Sequence, residues 1–124
     1  MNDSQPVYQQ IIEIIQNDII ARVYEVDELI ISTTQISKLY NVNPSTAMKA
    51  ISQLTDDGTI YKRPGIGMCV KRDARERLIE RRRAEFFGPR MDALFMEART
   101  LGITADEINK ALAERVMKGS CEHD

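Results

Sequence analysis

Residues 32–58 read STTQISKLYNVNPSTAMKAISQLTDDG, and this stretch decides the fold. An S-x-x-Q pattern that begins at Ser32 is a capping box and predicts the start of a short helix. Asn43 followed by Pro44 predicts a second start, because asparagine is a favoured N-cap and proline is favoured at the first helical position. Gly58 is expected to end that second helix. Two short helices separated by a tight turn predict a helix-turn-helix.

The second predicted helix has two distinct faces. Apolar residues recur at i, i+4 and i+7 (Ala47, Ile51 and Leu54), which is typical of a buried face. The N-terminal turn carries short polar side chains and free backbone N–H groups, which suit contacts to phosphates and base edges. The residues expected on the outer face are Ser45, Met48, Lys49 and Ser52.

Segments on either side complete a larger domain. Before the pair, isoleucines at three- and four-residue spacing predict a buried helix over residues 6–21, and the connector after it has room for a short strand at residues 29–31. After the pair, residues 60–71 predict a β-hairpin, because two strand-like runs flank a glycine-rich turn at 64–67. This order of elements predicts a winged helix-turn-helix DNA-binding domain over residues 1–72.

Residues 73–124 have a different composition and predict an α-helical element. Apolar residues recur at helical spacing through residues 73–101, and a Gly-Pro pair at 88–89 is expected to kink this helix or break it in two. A second capping box, TADE at 104–107, starts a last helix. The tail from residue 119 is expected to be frayed and disordered. The fold class is therefore mostly α with a small β-hairpin.

The two C-terminal helices carry more apolar surface than a lone helical hairpin can bury. Exposed apolar faces of this kind favour association, so we expect a homodimer through these helices. The alternative is that they pack back onto the winged helix of the same chain. The residues expected at the dimer interface are Phe86, Phe87, Met91, Leu94, Phe95, Ala98, Leu101, Ile108 and Leu112.

Positive charge is concentrated in one part of an acidic chain. The protein has 124 residues, a net charge of −2, 43% hydrophobic and 29% charged residues, which is typical of one folded domain with an appendage. Residues 62–83 hold nine lysines and arginines against three acidic residues. Such a stripe indicates either a phosphate-binding surface or a solvated helix face with internal ion pairs.

Reactive side chains are few. One histidine, His123, and two cysteines, Cys69 and Cys121, make neither a disulfide framework nor a closed zinc site, which needs four ligands. Cys121 and His123 could hold a metal only adventitiously. No motif of a hydrolase, nucleotide-binding loop or metalloprotease occurs, so we expect no enzyme, no cofactor and no metal site. Cys69 is either a redox switch or, more commonly, a buried structural cysteine.

Sequence features linked to membranes are not found. No apolar run approaches the roughly 20 residues that a membrane-spanning helix needs. The N-terminus MNDSQPVYQQ shows no basic region followed by an apolar one, as a signal peptide would. We therefore expect a cytoplasmic protein.

The order and spacing of these motifs resemble the GntR family of bacterial transcription regulators. The two short helices that follow resemble the C-terminal element of its YtrA-type subgroup, in which they form the dimer. The resemblance implies a homodimeric DNA-binding regulator, commonly a repressor and often of a transporter operon. It covers residues 6–71 and rests on PVYQQI at 6–11, Ser32, the segment 36–46, Leu54, Gly58 and the wing at 61–70.

The sequence departs from the family pattern at the positions that read bases. Ile31 and Thr34 stand where the family usually has proline and arginine before and within the first of the paired helices. Pro44 and Met48 stand where arginines are frequent in the second. Fewer bidentate contacts to guanine are then available.

The predicted DNA contacts fall into two groups. One group is expected at phosphates and major-groove edges, and the other belongs to the wing, which is expected at the minor groove. The first group is Ser32, Thr33, Thr34, Asn43, Ser45, Thr46 and Lys49, and the second is Lys62, Arg63, Gly65, Ile66 and Gly67.

Two further points stay open at this stage. A small-molecule effector would bind between the C-terminal helices and the wings, against Phe86, Phe87, Met91 and Phe95, unless these side chains simply fill the dimer core. The alternative function is a winged-helix protein-interaction module without sequence-specific DNA binding, which the acidic balance of residues 1–70 supports.

Overall fold

The structure is a computed structural model that describes residues 5–122, with side chains as far as residue 119. Its helices and strands confirm a mostly α fold with a small β-hairpin and a helix-turn-helix before the hairpin. The elements in chain order are α1 (Val7–Ile20), α2 (Thr33–Tyr40), α3 (Pro44–Asp56), β1 (Ile60–Arg63), β2 (Gly67–Val70), α4 (Ala74–Glu85), a π-helical segment (Phe86–Arg90), α5 (Met91–Leu101) and α6 (Ala105–Glu122).

The core of the winged helix is built on the isoleucine face of α1. Ile11, Ile15 and Ile19 are buried, as their spacing predicts, and α1 packs against α3, which also packs against α2. In α2, Ile36 is buried in this core, whereas the side chain of Leu39 is 66% exposed. The other buried apolar residues of this core are Ile12, Ile30, Ala47, Ala50, Ile51, Leu54, Ile60, Val70, Ala74 and Leu78.

The predicted start of α2 is confirmed by its hydrogen bonds. Ser32 Oγ accepts from the N–H of Gln35 at 3.1 Å, and Gln35 Oε1 accepts from the N–H of Ser32 at 2.9 Å, which is a complete capping box. Asn41 then turns the chain in a left-handed conformation (φ 52°). Extended Asn43 occupies the N-cap position before Pro44, the first residue of α3, as predicted, but its side chain makes no capping hydrogen bond.

The hairpin is joined by a short piece of the α1–α2 connector. Leu29 forms a β-bridge with Cys69, and the N–H of Ile30 donates to the carbonyl of Met68 at 2.9 Å. These bonds place the expected strand beside β2. The two named strands are antiparallel, with the register Ile60↔Val70, Tyr61↔Cys69, Lys62↔Met68 and Arg63↔Gly67.

Two arginines of α4 close the C-terminal ends of α1 and α3. Arg75 Nε donates to the carbonyl of Ile20 at 2.9 Å. Arg77 donates from Nη2 to the carbonyl of Asp57 at 3.1 Å and from Nη1 to that of Gly58 at 3.4 Å. The last carbonyls of a helix have no partner within it and carry partial negative charge, so a guanidinium is well suited to them. This part of the basic stripe therefore has a structural role.

The described residues form two compact units, with the boundary between Arg81 and Arg82. Ala74 and Leu78 of α4 are buried in the core of the first unit. The first unit thus extends nine residues beyond the boundary at residue 72 that the composition suggests.

The second unit stays helical at the Gly-Pro pair, where the sequence predicts either a kink or a break in two. The chain passes through the π-helical segment, which contains Pro89, and continues directly into α5. A wider π turn accommodates a residue that has no N–H to donate. Gly102 ends α5 in a left-handed conformation (φ 70°). The predicted capping box before α6 is confirmed, since Thr104 Oγ1 accepts from the N–H of Glu107 at 3.2 Å and Glu107 Oε1 accepts from the N–H of Thr104 at 3.1 Å.

Helix α6 continues to Glu122, into the segment that was expected to be frayed from residue 119. The side chain of Cys121 and the whole of His123 lie outside the described residues, so the notion of an adventitious metal at these two positions stays a prediction.

Gly58 is a position where the backbone conformation favours glycine. Its φ is +77°, and a Cβ there would lie 3.0 Å from Arg77 Nη1. We expect Gly58→Ala to lower the free energy of unfolding by about 1–2 kcal/mol, the usual cost of a left-handed alanine. Thermal unfolding followed by circular dichroism measures this. Gly119→Ala is the matched control, because Gly119 lies in α6 with open space around it and should be stabilising or neutral. Equal stability of G58A and the native chain would contradict the argument.

Candidate nucleic-acid interface

The outer face of α3 is the one that its sequence predicts. Ala47, Ala50, Ile51 and Leu54 are buried on one side of the helix. The opposite side presents exposed side chains in the first three turns and faces solvent. These exposed residues are Ser45, Met48, Lys49 and Ser52.

Lys49 is not a free cation on this face. Its Nζ lies 4.1 Å from the centre of the Tyr8 ring, a cation–π contact that draws the ammonium group towards α1. Tyr8 is half-buried on α1, next to the isoleucine face of that helix. The contact joins residues far apart in sequence, so no local pattern indicates it.

A cleft brings the two predicted groups of contact residues together. A cavity of about 310 Å³ lies between the N-terminus of α2 and the hairpin. Ser32 and Thr33 line it from the helix, and Lys62, Ile66 and Gly67 line it from the wing. Apolar side chains from the connector, including Leu29, form its floor. The cleft therefore brings two hydroxyl residues and a lysine together with apolar residues on one surface.

The remaining predicted contacts also lie on the first unit. Thr34 is exposed in the first turn of α2, Asn43 is the exposed residue before α3, and Thr46 is half-buried in its first turn. Arg63 ends β1 and Gly65 lies in the hairpin turn, both exposed. The structure thus groups the predicted set on the α2 start, α3 and the wing; contact with DNA remains a prediction for each.

The wing is tied to the α1–α2 connector by a bond that the sequence does not suggest. Tyr61 Oη donates to Asp27 Oδ1 at 2.7 Å, and the N–H of Asp27 donates to the carbonyl of Val70 at 2.8 Å. This hydrogen bond to the Asp27 carboxylate is the main reason that the pKa of Tyr61 lies above its ordinary value; partial desolvation adds to it, and Arg63 opposes it. Gly67 lets the connector approach closely, because a Cβ there would lie 2.9 Å from Leu29 Cδ1.

Cys69 is fully buried on β2, in agreement with the structural interpretation. Within the described part of the chain, no three histidine, cysteine, aspartate or glutamate residues are grouped as metal ligands. In the same part, no helix has both the length and the apolar composition to cross a membrane.

The second unit presents an apolar face to solvent. Phe86 and Phe87 pack edge to face with ring centres 5.2 Å apart, yet both rings are about half exposed. Ala98 differs from the other residues of the expected interface, because it is already buried within its own unit, and Ile108 is half-buried. The exposed members of the expected interface are Phe86, Phe87, Met91, Leu94, Phe95, Leu101 and Leu112.

A small cavity of about 140 Å³ lies within the second unit. It is lined by Leu94, Glu97, Ala98, Leu101, Ile103 and Ile108. The four residues proposed to line an effector site are not part of this lining, so the effector stays a prediction.

Known proteins share the sequence signature and the fold. Residues 7–70 match the family model described as bacterial regulatory proteins, gntR family. No curated protein sequence matches the chain. Among solved structures, a GntR family transcriptional regulator from Listeria monocytogenes is 25% identical, with a TM-score of 0.72 over 92% of this chain and 98% of that one.

Two other solved structures are similar in part or in fold. The AraR DNA-binding domain in complex with operator ORR3 is 29% identical, with a TM-score of 0.50 over 52% of this chain and 78% of that one. YtrA from Sulfolobus acidocaldarius, a GntR-family transcription factor, is 19% identical, with a TM-score of 0.54 over 95% of this chain and 94% of that one, and at this identity it shows a shared fold alone.

The Tyr61–Asp27 bond predicts a pH-dependent stability. Because the pKa of Tyr61 is raised in the folded chain, the bond stabilises the fold below about pH 10, the ordinary tyrosine pKa, and this contribution is lost as the pH rises through the raised value. We expect native protein to be more stable than Tyr61→Phe at pH 7 and the difference to shrink at alkaline pH. Urea unfolding of both proteins across this range measures it. A difference that stays constant up to pH 11 would rule out the bond as its source.

Proposed function

The chain belongs to the GntR family of bacterial regulatory proteins, and on this basis we propose that it regulates transcription by binding a specific double-stranded DNA sequence as a homodimer. The observation that carries the proposal is the grouping of Ser32, Thr33, Lys62 and Gly67 around one cleft beside the exposed face of α3. A protein that binds a duplex in this way uses hydrogen-bond donors for the DNA phosphates and an exposed helix for the major groove.

The proposed docking uses each element for a different part of the duplex. Helix α3 enters the major groove with its N-terminal turns, where Asn43, Ser45 and Thr46 lie. The first N–H groups of α2, next to Ser32, bind a backbone phosphate at the positive end of the helix dipole. Lys62 and the glycine-rich turn bring the wing to the neighbouring minor groove.

The proposed homodimer accounts for the exposed apolar face of the second unit. Large aromatic and aliphatic side chains that stay about half exposed in one chain are costly in water and favour a second copy. A two-fold symmetric dimer would present two winged helices to a symmetric operator. Repression of a nearby operon, for example that of a transporter, is a finer part of the proposal and comes from the resemblance. Modulation by an unidentified small molecule is a further part of it.

The proposed contact between the wing and DNA can be tested by measuring DNA affinity. We expect Lys62→Ala with Arg63→Ala to weaken binding and to reduce the slope of log affinity against log salt by about 2, since each lost phosphate contact accounts for about one unit. Fluorescence anisotropy on the DNA upstream of the protein's own operon, with scrambled DNA beside it, measures both. Lys110→Ala, an exposed lysine of α6, is the matched control and should leave the slope unchanged.

The wing assignment is contradicted if the double variant binds like the native chain. Salt-independent binding, or no binding to either DNA at low salt, would contradict the regulator itself and favour the protein-interaction module.

The proposed dimer can be tested by a substitution on the apolar face of the second unit. We expect the native chain to sediment as a dimer at micromolar concentration and Phe95→Asp to sediment as a monomer, because a buried unpaired carboxylate is costly. Analytical ultracentrifugation measures this, and circular dichroism checks that the helices remain. Asn109→Asp, which adds the same charge at an exposed site of α6, is the control and should stay dimeric. A native monomer, or a dimeric F95D, would refute the proposed interface.

A further inference from the structure

We propose that Met48 is a specificity-determining residue that reads the methyl group of a thymine in the major groove. The inference rests on the proposed DNA binding and adds the chemical feature that is read. Thymine offers the one apolar group among the base edges of the major groove, its C5-methyl group. Met48 offers an apolar side chain on the face of α3 that is proposed to enter this groove.

The position of Met48 on α3 suits contact with bases. It lies four residues after Pro44, about 6 Å along the helix axis, and thus in the N-terminal turns that reach base edges in a helix-turn-helix. Its side chain is 61% exposed and does not belong to the hydrophobic core of the unit. Ser45 and Ser52 lie three residues before it and four after it, on the same side of the helix.

The other exposed side chains on this face of α3, Ser45, Lys49 and Ser52, do not supply a stronger reader. The sequence of α3 contains one lysine and no arginine, so the bidentate contact of an arginine to guanine is not available from this helix. The ammonium group of that residue, Lys49, is held over the Tyr8 ring. Serine hydroxyls both donate and accept and therefore discriminate weakly between bases. The distinctive group on this face is the thioether of Met48.

The chemistry of a thioether gives the direction of the preference. It has no donor and is a weak acceptor, so it cannot satisfy the amino group of cytosine that it would desolvate. When the thioether packs against a thymine methyl group, no polar group of the base loses a hydrogen bond and apolar surface is buried. Its unbranched, flexible side chain adapts to the exact position of that methyl. We therefore expect each half-site to contain one thymine whose methyl group contributes to affinity.

The experiment removes the methyl group without changing any hydrogen bond. Duplexes that the native protein enriches from a random-sequence pool are resynthesised with each thymine replaced singly by deoxyuridine. We expect one such replacement in each half-site to weaken binding by native protein about fourfold, the usual effect of one buried methyl group. Met48→Ala is expected to bind the native duplex more weakly and to lose this sensitivity at the same position.

Two further variants make the result specific. Met48→Leu keeps an apolar side chain of similar size and should retain the sensitivity to deoxyuridine. Val23→Ala truncates another exposed apolar side chain of the first unit, in the connector after α1, and should behave like the native chain.

The outcomes separate this inference from the function on which it rests. If no sequence is enriched from the pool, sequence-specific DNA binding itself is refuted. If sequences are enriched but no deoxyuridine weakens binding, or if M48A is as sensitive as the native protein, DNA binding stands and the role of Met48 is overturned.

Discussion

Packing of the isoleucine face of α1 against α3 is the interaction on which the rest of this structure depends. Buried isoleucines such as Ile11 and Ile15 contribute ~1.5–3 kcal/mol each, and they hold α3 by the side that carries Ala47, Ala50 and Leu54. Because four buried positions recur on one side of α3, its opposite side must face solvent. The exposure of the face of α3 proposed to contact DNA is thus a consequence of what its other side buries.

The basic stripe shows how one charge pattern is divided between stability and binding. Arg75 and Arg77 bind the carbonyls that end α1 and α3, so their charge is used within the first unit. Lys62 and Arg63 stay exposed at the end of β1. The surface proposed for DNA is therefore less positive than the count of arginines indicates, and groups such as helix N–H donors, hydroxyls and the Met48 thioether gain importance.

The second unit has the opposite character. Its helices are well capped, by Gly102 after α5 and by Thr104 before α6, so the local structure is complete in one chain. Its apolar side chains are not buried to the same degree, and residues such as Phe87 and Phe95 remain exposed. The helices of this unit therefore form within one chain, but their apolar side chains are not buried there. A second copy of the chain is proposed to bury them.

Much of the fold could be predicted from the sequence because its signals act over a few residues. The capping boxes at Ser32 and Thr104 depend on bonds between near neighbours, and the Asn43-Pro44 start of α3 and the Gly58 stop depend on the local backbone preferences of those residues. The hairpin and the outer face of α3 follow from periodicity and turn residues in the same way. The candidate contact residues could be named from the sequence for this reason, but the sequence could not predict which of them lie together around one cleft.

Only the tertiary structure decided how those elements meet. Tyr61 and Asp27 are 34 positions apart and Arg75 and Ile20 are 55 apart, yet each pair is joined by a hydrogen bond of less than 3 Å. The contact of Lys49 with Tyr8, and the end of the first unit at Arg81 instead of residue 72, are of the same kind. Such contacts depend on how helices and strands pack in space, and sequence patterns of a few residues carry no information on that packing.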